Sequence, residues 1–327
     1  PPPPKTLFPY TTLFRSQNSE EDETTCRTLT TEDLISEELL LPQPEETQQT
    51  ALIPESVEAT AGTALSNFRP AVQQVQIDRT QLADYETLVR NFYAIDANTM
   101  AGSDQLSVEK LLGMDMTLPQ EGDGPQILIY HTHSQEAFAD SVPGDVNTGI
   151  VGVGECLTKI LTEQYGYRVL HNTGQYDVET RENAYSRALP AVEQILAENP
   201  SIQVIIDLHR DEVAEETKLV TDIQGRPTAR FMFFNGLSRT RKTGDIDYLA
   251  NENQEANLAF SFQMQLKAAE YYPGLTRRIY LKGYRYNMHL RPRTLLVELG
   301  AQNNTVEEAI NACDPLAHIL DMVLKGE

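Results

Sequence analysis

His131, His133 and Glu136 fall close together in GPQILIYHTHSQEAF, the stretch from Gly124 to Phe138. Imidazole nitrogens and a carboxylate oxygen are the donors of a catalytic zinc site of the two-His, one-Glu kind, which keeps one position for water. Two residues apart on an extended chain, His131 and His133 are expected to project from the same side. Glu136 comes back toward them if the chain turns at Ser134. The plain alternative is a pair of surface histidines on a loop.

A second stretch has the same grammar. SIQVIIDLHRD, Ser201 to Asp211, is an apolar run that ends in His209. If both runs are parallel strands, their carboxyl ends line the crevice where α/β sheets bind ligands, and His209 shares one metal with His133 or His131. A third run, TLLVELG from Thr294 to Gly300, sets Glu298 among Leu295, Leu296, Val297 and Leu299. Burying a carboxylate there is unfavourable unless it meets a cation, a proton or an activated water.

These residues need strands to carry them. Ile127 to Tyr130 is apolar without alternation, as suits a strand buried on both faces. Asp145 to Tyr165 reads as a helix stopped by Gly166, YRVLHN as a second strand, and Thr180 to Asn199 as a helix leading to the strand of His209. Strand alternating with helix predicts parallel units and an α/β sandwich. Lys218 to Phe234 reads as two strands around a Gln224–Pro227 turn. Tyr248 to Tyr272 is a helix with Leu258, Phe262, Leu266 and Ala269 on its buried face, and Val306 to Lys325 is a closing helix capped by Asn304 or Thr305.

Taken in order, YHTHSQEAF, DLHRD and YNMHLRPRTLLVELGAQNNT resemble the stage II sporulation protein P family from about Asn91 to the end. The resemblance implies a three-layer α/β fold with a mainly parallel central sheet, like that of zinc-dependent N-acetylmuramoyl-L-alanine amidases. It implies hydrolysis of peptidoglycan between the lactyl group and the stem peptide, and also endopeptidase action on the stem-peptide cross-link. Sporulation-septum remodelling and engulfment follow as the setting, with peptidoglycan and other membrane-anchored engulfment proteins as partners. On this reading Zn2+ is held by His133 (or His131), Glu136 and His209. Glu298 takes the proton of the attacking water and returns it to the leaving amine. Arg210 anchors a substrate carboxylate or holds Glu298, and Asp207 and Asp211 orient a ligand imidazole, a structural salt bridge being the other reading of these charges. Glu155 is a rival third ligand, because related amidases take theirs from the helix after the first strand. A catalytically silent wall-binding or scaffold module of a septal complex is the competing class. A barrel-type amidohydrolase would need about eight strand-helix units, more than the chain offers.

The formal net charge of −22, from 26 Lys+Arg against 48 Asp+Glu, excludes a nucleic-acid partner, which wants clustered cations. Residues 1–16 have no periodicity, and Thr6 to Ser16 resembles a translated sequencing adapter. With that segment set aside as non-native, the expectation is that a native membrane anchor is missing and that the protein works outside the cytoplasm at the septal membrane. Residues 17–63, rich in Glu, Thr, Gln and Pro, read as a disordered acidic linker in which Asp33 to Leu41 forms at most a transient helix. A small α+β cap over 64–123 then precedes a catalytic domain over 124–327. His171, His289 and His318 lack a partner motif. Cys26, Cys156 and Cys313 have no metal or disulfide spacing and are expected to be unbridged. Gly149, Gly152 and Gly154 follow no strand directly and so do not form a nucleotide-binding turn.

Overall fold

A computed structural model describes residues 68–119 and 122–327. The adapter-like segment, the acidic linker and Cys26 lie outside the described residues. Helix α1 (Tyr85–Phe92) opens at Asp84, whose carboxylate accepts the Thr87 N–H, and runs into strand β1 (Tyr93–Ile95); helix α2 (Val108–Gly113) follows. Then come β2 (Ile127–Tyr130), α3 (Ile150–Glu163), β3 (Val169–His171), α4 (Ala184–Glu198) and β4 (Val204–Asp211). The second half holds β5 (Val220–Ile223), β6 (Arg226–Ala229), β7 (Phe231–Gly236), the short pair β8 (Arg239–Thr240) and β9 (Gly244–Asp245), α5 (Gln254–Tyr271), β10 (Ile279–Lys282), β11 (Arg293–Ala301) and α6 (Val306–Lys325).

Seven strands form the central sheet in the order β1-β10-β7-β11-β4-β2-β3. Neighbours run parallel except at β7 and β11, so the fold is α/β with a mainly parallel sheet, as expected. Strand alternation divides its side chains. Ile127, Ile129, Val204, Ile206, Leu208, Leu295, Val297 and Leu299 enter the large core shared with α3, α5 and α6. Leu128, Tyr130 and Ile205 enter a smaller one with Ala188, Val192 and Leu196 of α4. Asp207 and His209 keep the parity of Ile205. Glu298 is the register partner of His209, so all three belong to the thinly covered second face.

One expectation is corrected. Lys218 to Phe234 makes three strands, not two. Gln224 (φ 57°) and Gly225 (φ 78°) form a left-handed two-residue turn between β5 and β6, the geometry that matches strand twist. The run Phe231–Phe234, buried throughout, leaves that hairpin and pairs antiparallel with β11. The segment read as a small cap packed on the catalytic domain also supplies a strand to the sheet: β1 pairs with β10, and Phe92 lies edge-on to Phe262 at 5.3 Å. Helix α5 buries Ala259, Phe260, Met264 and Ala268 as well as the expected Leu258, Phe262 and Leu266. Closing helix α6 begins with a capping box in which Thr305 and Glu308 satisfy each other's backbone N–H groups. Among the described residues no helix is long and apolar enough to cross a membrane.

Candidate metal centre

Strand β2 ends at Tyr130, and residues 132–135 form a turn in which the Glu136 N–H reaches the His133 carbonyl at 3.4 Å. Asp177 latches that turn, accepting Ser134 Oγ–H at 2.8 Å and the Gln135 N–H at 3.2 Å. His209, from β4, brings its ring to within 5.1 Å of the His133 ring. One donor atom each from His133, Glu136 and His209 lies within 4.8 Å of the others. Two separations are shorter: His133 Nδ1 to Glu136 Oε1 and His209 Nδ1 to Glu136 Oε2, each 3.5 Å. A tetrahedral ion with bonds of about 2.0–2.1 Å holds its donors about 3.3 Å apart, so these residues fit zinc in spacing and in chemistry.

The electrostatics are those of a buried, pre-charged set. Glu136 is 2% exposed. Its Oε1 accepts Arg181 Nη2 and its Oε2 accepts the Arg210 N–H, both at 2.8 Å. Burial alone would raise its carboxyl, but the His209 charge, hydrogen bonds from the two imidazoles and Arg181 hold it well below the usual carboxylate range. Burial pushes His209 down, yet Asp207 and Glu136 outweigh that and keep its imidazole protonated well above the ordinary range. Burial dominates at His133 and lowers it.

Asp207 stands 2.8 Å from His209 Nε2, off the line of the ring N–H, and is fixed by the Thr132 N–H (2.9 Å) and hydroxyl (2.6 Å). With Nδ1 turned to Glu136 and Nε2 to a carboxylate, His209 has the orientation common among metal-bound histidines. Glu298 lies one strand spacing away, about 4.8 Å. Its Oε2 is buried and unpartnered, and burial with the nearby Asp211 charge pushes the carboxyl up to about 8. Asp211 itself pairs with Arg277 rather than with an imidazole.

Other expected site residues go elsewhere. His131 does not share the side of His133: it keeps the parity of Ile127 and Ile129 and points to the opposite face, while the turn carries His133 out of the alternation. Fully buried, His131 donates from Nδ1 to the Leu208 carbonyl at 2.8 Å and meets His171 Nε2 at 2.9 Å, and burial lowers it to about 4. Gly154 makes that pairing possible, because a Cβ there would come within 2.6 Å of His131 Nε2. Glu155 contacts His171 at 3.0 Å and is absent from the His133 cluster. The Arg210 guanidinium turns to the carbonyls of Ala137 and Asp211 and serves the site through its backbone N–H instead. His318 bonds the Tyr272 hydroxyl.

Sequence reasoning passed over Asp177, Arg181 and Tyr185. The Tyr185 ring lies edge-on to His133 at 5.6 Å and stacked on His209 at 6.4 Å. Nothing in the pattern of residues 177–185 marks them, because their contacts are made only once α4 is laid across the sheet.

The chain is similar to solved structures named as amidases, the first of them as an N-acetylmuramoyl-L-alanine amidase. AmiC2 of Nostoc punctiforme is 13% identical, with 62% of this chain and 97% of that chain covered at a TM-score of 0.37. CwlD from Clostridioides difficile, solved with the GerS lipoprotein, is also 13% identical, with 62% and 95% covered at a TM-score of 0.36. Stage II sporulation protein P of Bacillus subtilis (strain 168) is 26% identical over 217 residues, 61% of this chain and 51% of the relative. The chain thus spans about half the length of that curated relative. The family model for stage II sporulation protein P matches residues 23–321, most of the sequence, and the chain belongs to that family.

Proposed function

We propose that this chain is a zinc-dependent peptidoglycan hydrolase cleaving the amide between the glycan's lactyl group and the stem peptide, with the region from 124 onward as its catalytic part. The observation that carries the reading is the convergence of His133, Glu136 and His209 beside Glu298, whose Oε2 is buried and unpartnered. Family membership supports the substrate, a sporulation setting and action outside the cytoplasm.

Bound by His133, Glu136 and His209, zinc would supply a Lewis acid and a water acidic near pH 7. Glu298 then acts as the base that takes the proton of the attacking water and gives it to the departing amine. Its apolar surroundings suit both roles, because a carboxyl raised toward neutrality exchanges protons readily in either direction. Asp207 sets a negative charge 2.8 Å from His209 Nε2, and Thr132 holds Asp207. Arg181 and the Arg210 N–H keep Glu136 ionised and oriented.

Glu298→Gln tests this assignment. The amide keeps the shape but removes the base, so zinc content is expected to match the unsubstituted protein while peptidoglycan hydrolysis falls about 10²–10⁴-fold. Loss of zinc would make Glu298 a ligand. Undiminished turnover would make it structural and refute the assignment.

A further inference from the structure

Residues 177, 181 and 185 lie at four-residue intervals, and each touches a different part of the candidate centre. Asp177 accepts both polar hydrogens that the 132–135 turn offers it, from Ser134 and Gln135. Arg181 takes one oxygen of Glu136. Tyr185, in the first turn of α4, lies edge-on to His133 (78°) and stacked nearly parallel to His209 (15°).

Tyr185 is itself held from behind. Its carbonyl accepts Asn287 Nδ2–H at 3.0 Å. The Tyr286 ring packs edge-on against it at 5.2 Å and against Phe234 of β7 at 4.8 Å. Tyr286 and Asn287 both have left-handed backbone, φ 51° and 55°, a conformation asparagine tolerates but one unfavourable for tyrosine unless surrounding contacts enforce it. A line of packed rings therefore runs from the sheet through Tyr286 and Tyr185 to both imidazoles.

We propose that residues 177–185 are a positioning clamp for the His133–Glu136–His209 centre and that Tyr185 fixes the planes of its two imidazoles. The inference rests on the metal reading above. His133 needs such a support more than His209 does, because it stands in a turn while His209 is locked in a central strand. A well-placed imidazole binds metal more tightly because less ring freedom is lost on binding, and loss of an outer partner that orients a ligand imidazole weakens metal affinity about 10–100-fold. Tyr185 touches neither substrate nor reacting atoms on this account and acts through the rings it packs.

Zinc affinity by chelator competition, together with the visible spectrum of the cobalt-substituted protein, tests the clamp on Tyr185→Leu, Tyr185→Phe and Asp177→Asn. Tyr185→Leu is expected to bind zinc about 10–100-fold more weakly and to alter the cobalt spectrum, while Tyr185→Phe, which keeps the ring, restores both. Asp177→Asn is expected to weaken zinc several-fold and stands in for Tyr185→Leu if the latter does not fold. Wild-type affinity in folded Tyr185→Leu, or in Asp177→Asn where that is the folded variant, overturns the clamp alone. Equal loss in Tyr185→Phe and Tyr185→Leu overturns the role given to the ring. An unsubstituted protein that binds neither zinc nor cobalt overturns the metal reading and the clamp with it.

Discussion

Glu136→Gln perturbs the centre most instructively in metal-free protein. The substitution keeps size but leaves one oxygen where two now serve Arg181 and the Arg210 N–H, each at 2.8 Å, so one donor must face an amide NH2. A lost charge-assisted hydrogen bond is worth about 1.5–3 kcal/mol. The buried His209 cation loses one of its two partners but keeps Asp207 at 2.8 Å, so the full penalty of an unpaired buried charge does not apply. The two effects share the same carboxylate and do not add, so the expected destabilisation is about 1.5–3 kcal/mol. Its pH dependence follows from the directions of the shifts. Glu136 is depressed, so its contribution is present above the unfolded carboxylate value of about 4.3 and is lost as pH falls through the lower folded value. His209 is raised, so its contribution is present below about 6.5 and is lost as pH rises through the higher folded value. The gap between wild type and variant is therefore widest from about pH 4.3 to 6.5. Urea denaturation in chelator at pH 5.5, with flanking measurements at pH 3 and pH 9, reads it directly. A gap below about 1 kcal/mol at pH 5.5, the worth of an exposed pair, would show that the carboxylate is solvated and that the burial argument is wrong.

Asp207→Asn removes the charge facing His209 Nε2 and is expected to lower zinc affinity about 10–100-fold, measured by chelator competition; unchanged affinity would show that Thr132 is the only partner that matters to Asp207. Thr305→Ala breaks the capping box of α6 and is expected to cost about 1 kcal/mol in urea denaturation, with zinc binding unmoved. Deleting residues 1–63 is expected to leave one cooperative unfolding transition at the same midpoint, since residues 66–327 form a compact unit of their own. A lowered midpoint would place part of the folded unit before residue 64.

Much of the fold is legible in the residue pattern because the strands bearing the site are short apolar runs with clear ends. Ile127–Tyr130 and Val204–Leu208 admit few other readings, and Glu298 stands out as the polar member of an apolar strand. Parity sets the faces within each strand, and the register of β11 on β4 then puts Glu298 beside His209. His131 shows where such reasoning stops: a two-residue spacing implies one side only while the chain stays extended, and the strand ends at Tyr130. The antiparallel entry of β7 and the docking of β1 on β10 were hidden for a different reason. Strand type and burial can be read locally, but the choice of neighbour is decided by segments distant in sequence. Tyr185 and Arg181 are obscure in the same way, ordinary members of a helix and its approach until tertiary packing sets them over the imidazoles.

The central claim is that a zinc ion at His133, Glu136 and His209 makes this chain an amide hydrolase of the cell wall. Its most direct test is digestion of purified peptidoglycan by the zinc-loaded protein, with the same protein stripped by chelator alongside and the soluble products identified by mass spectrometry. The account predicts about one zinc per chain and zinc-dependent release of stem peptides with free L-alanine amino termini, leaving glycan that carries free lactyl carboxylates. Peptidoglycan bound but left uncut by protein that holds its zinc would contradict the account and favour a silent wall-binding module instead.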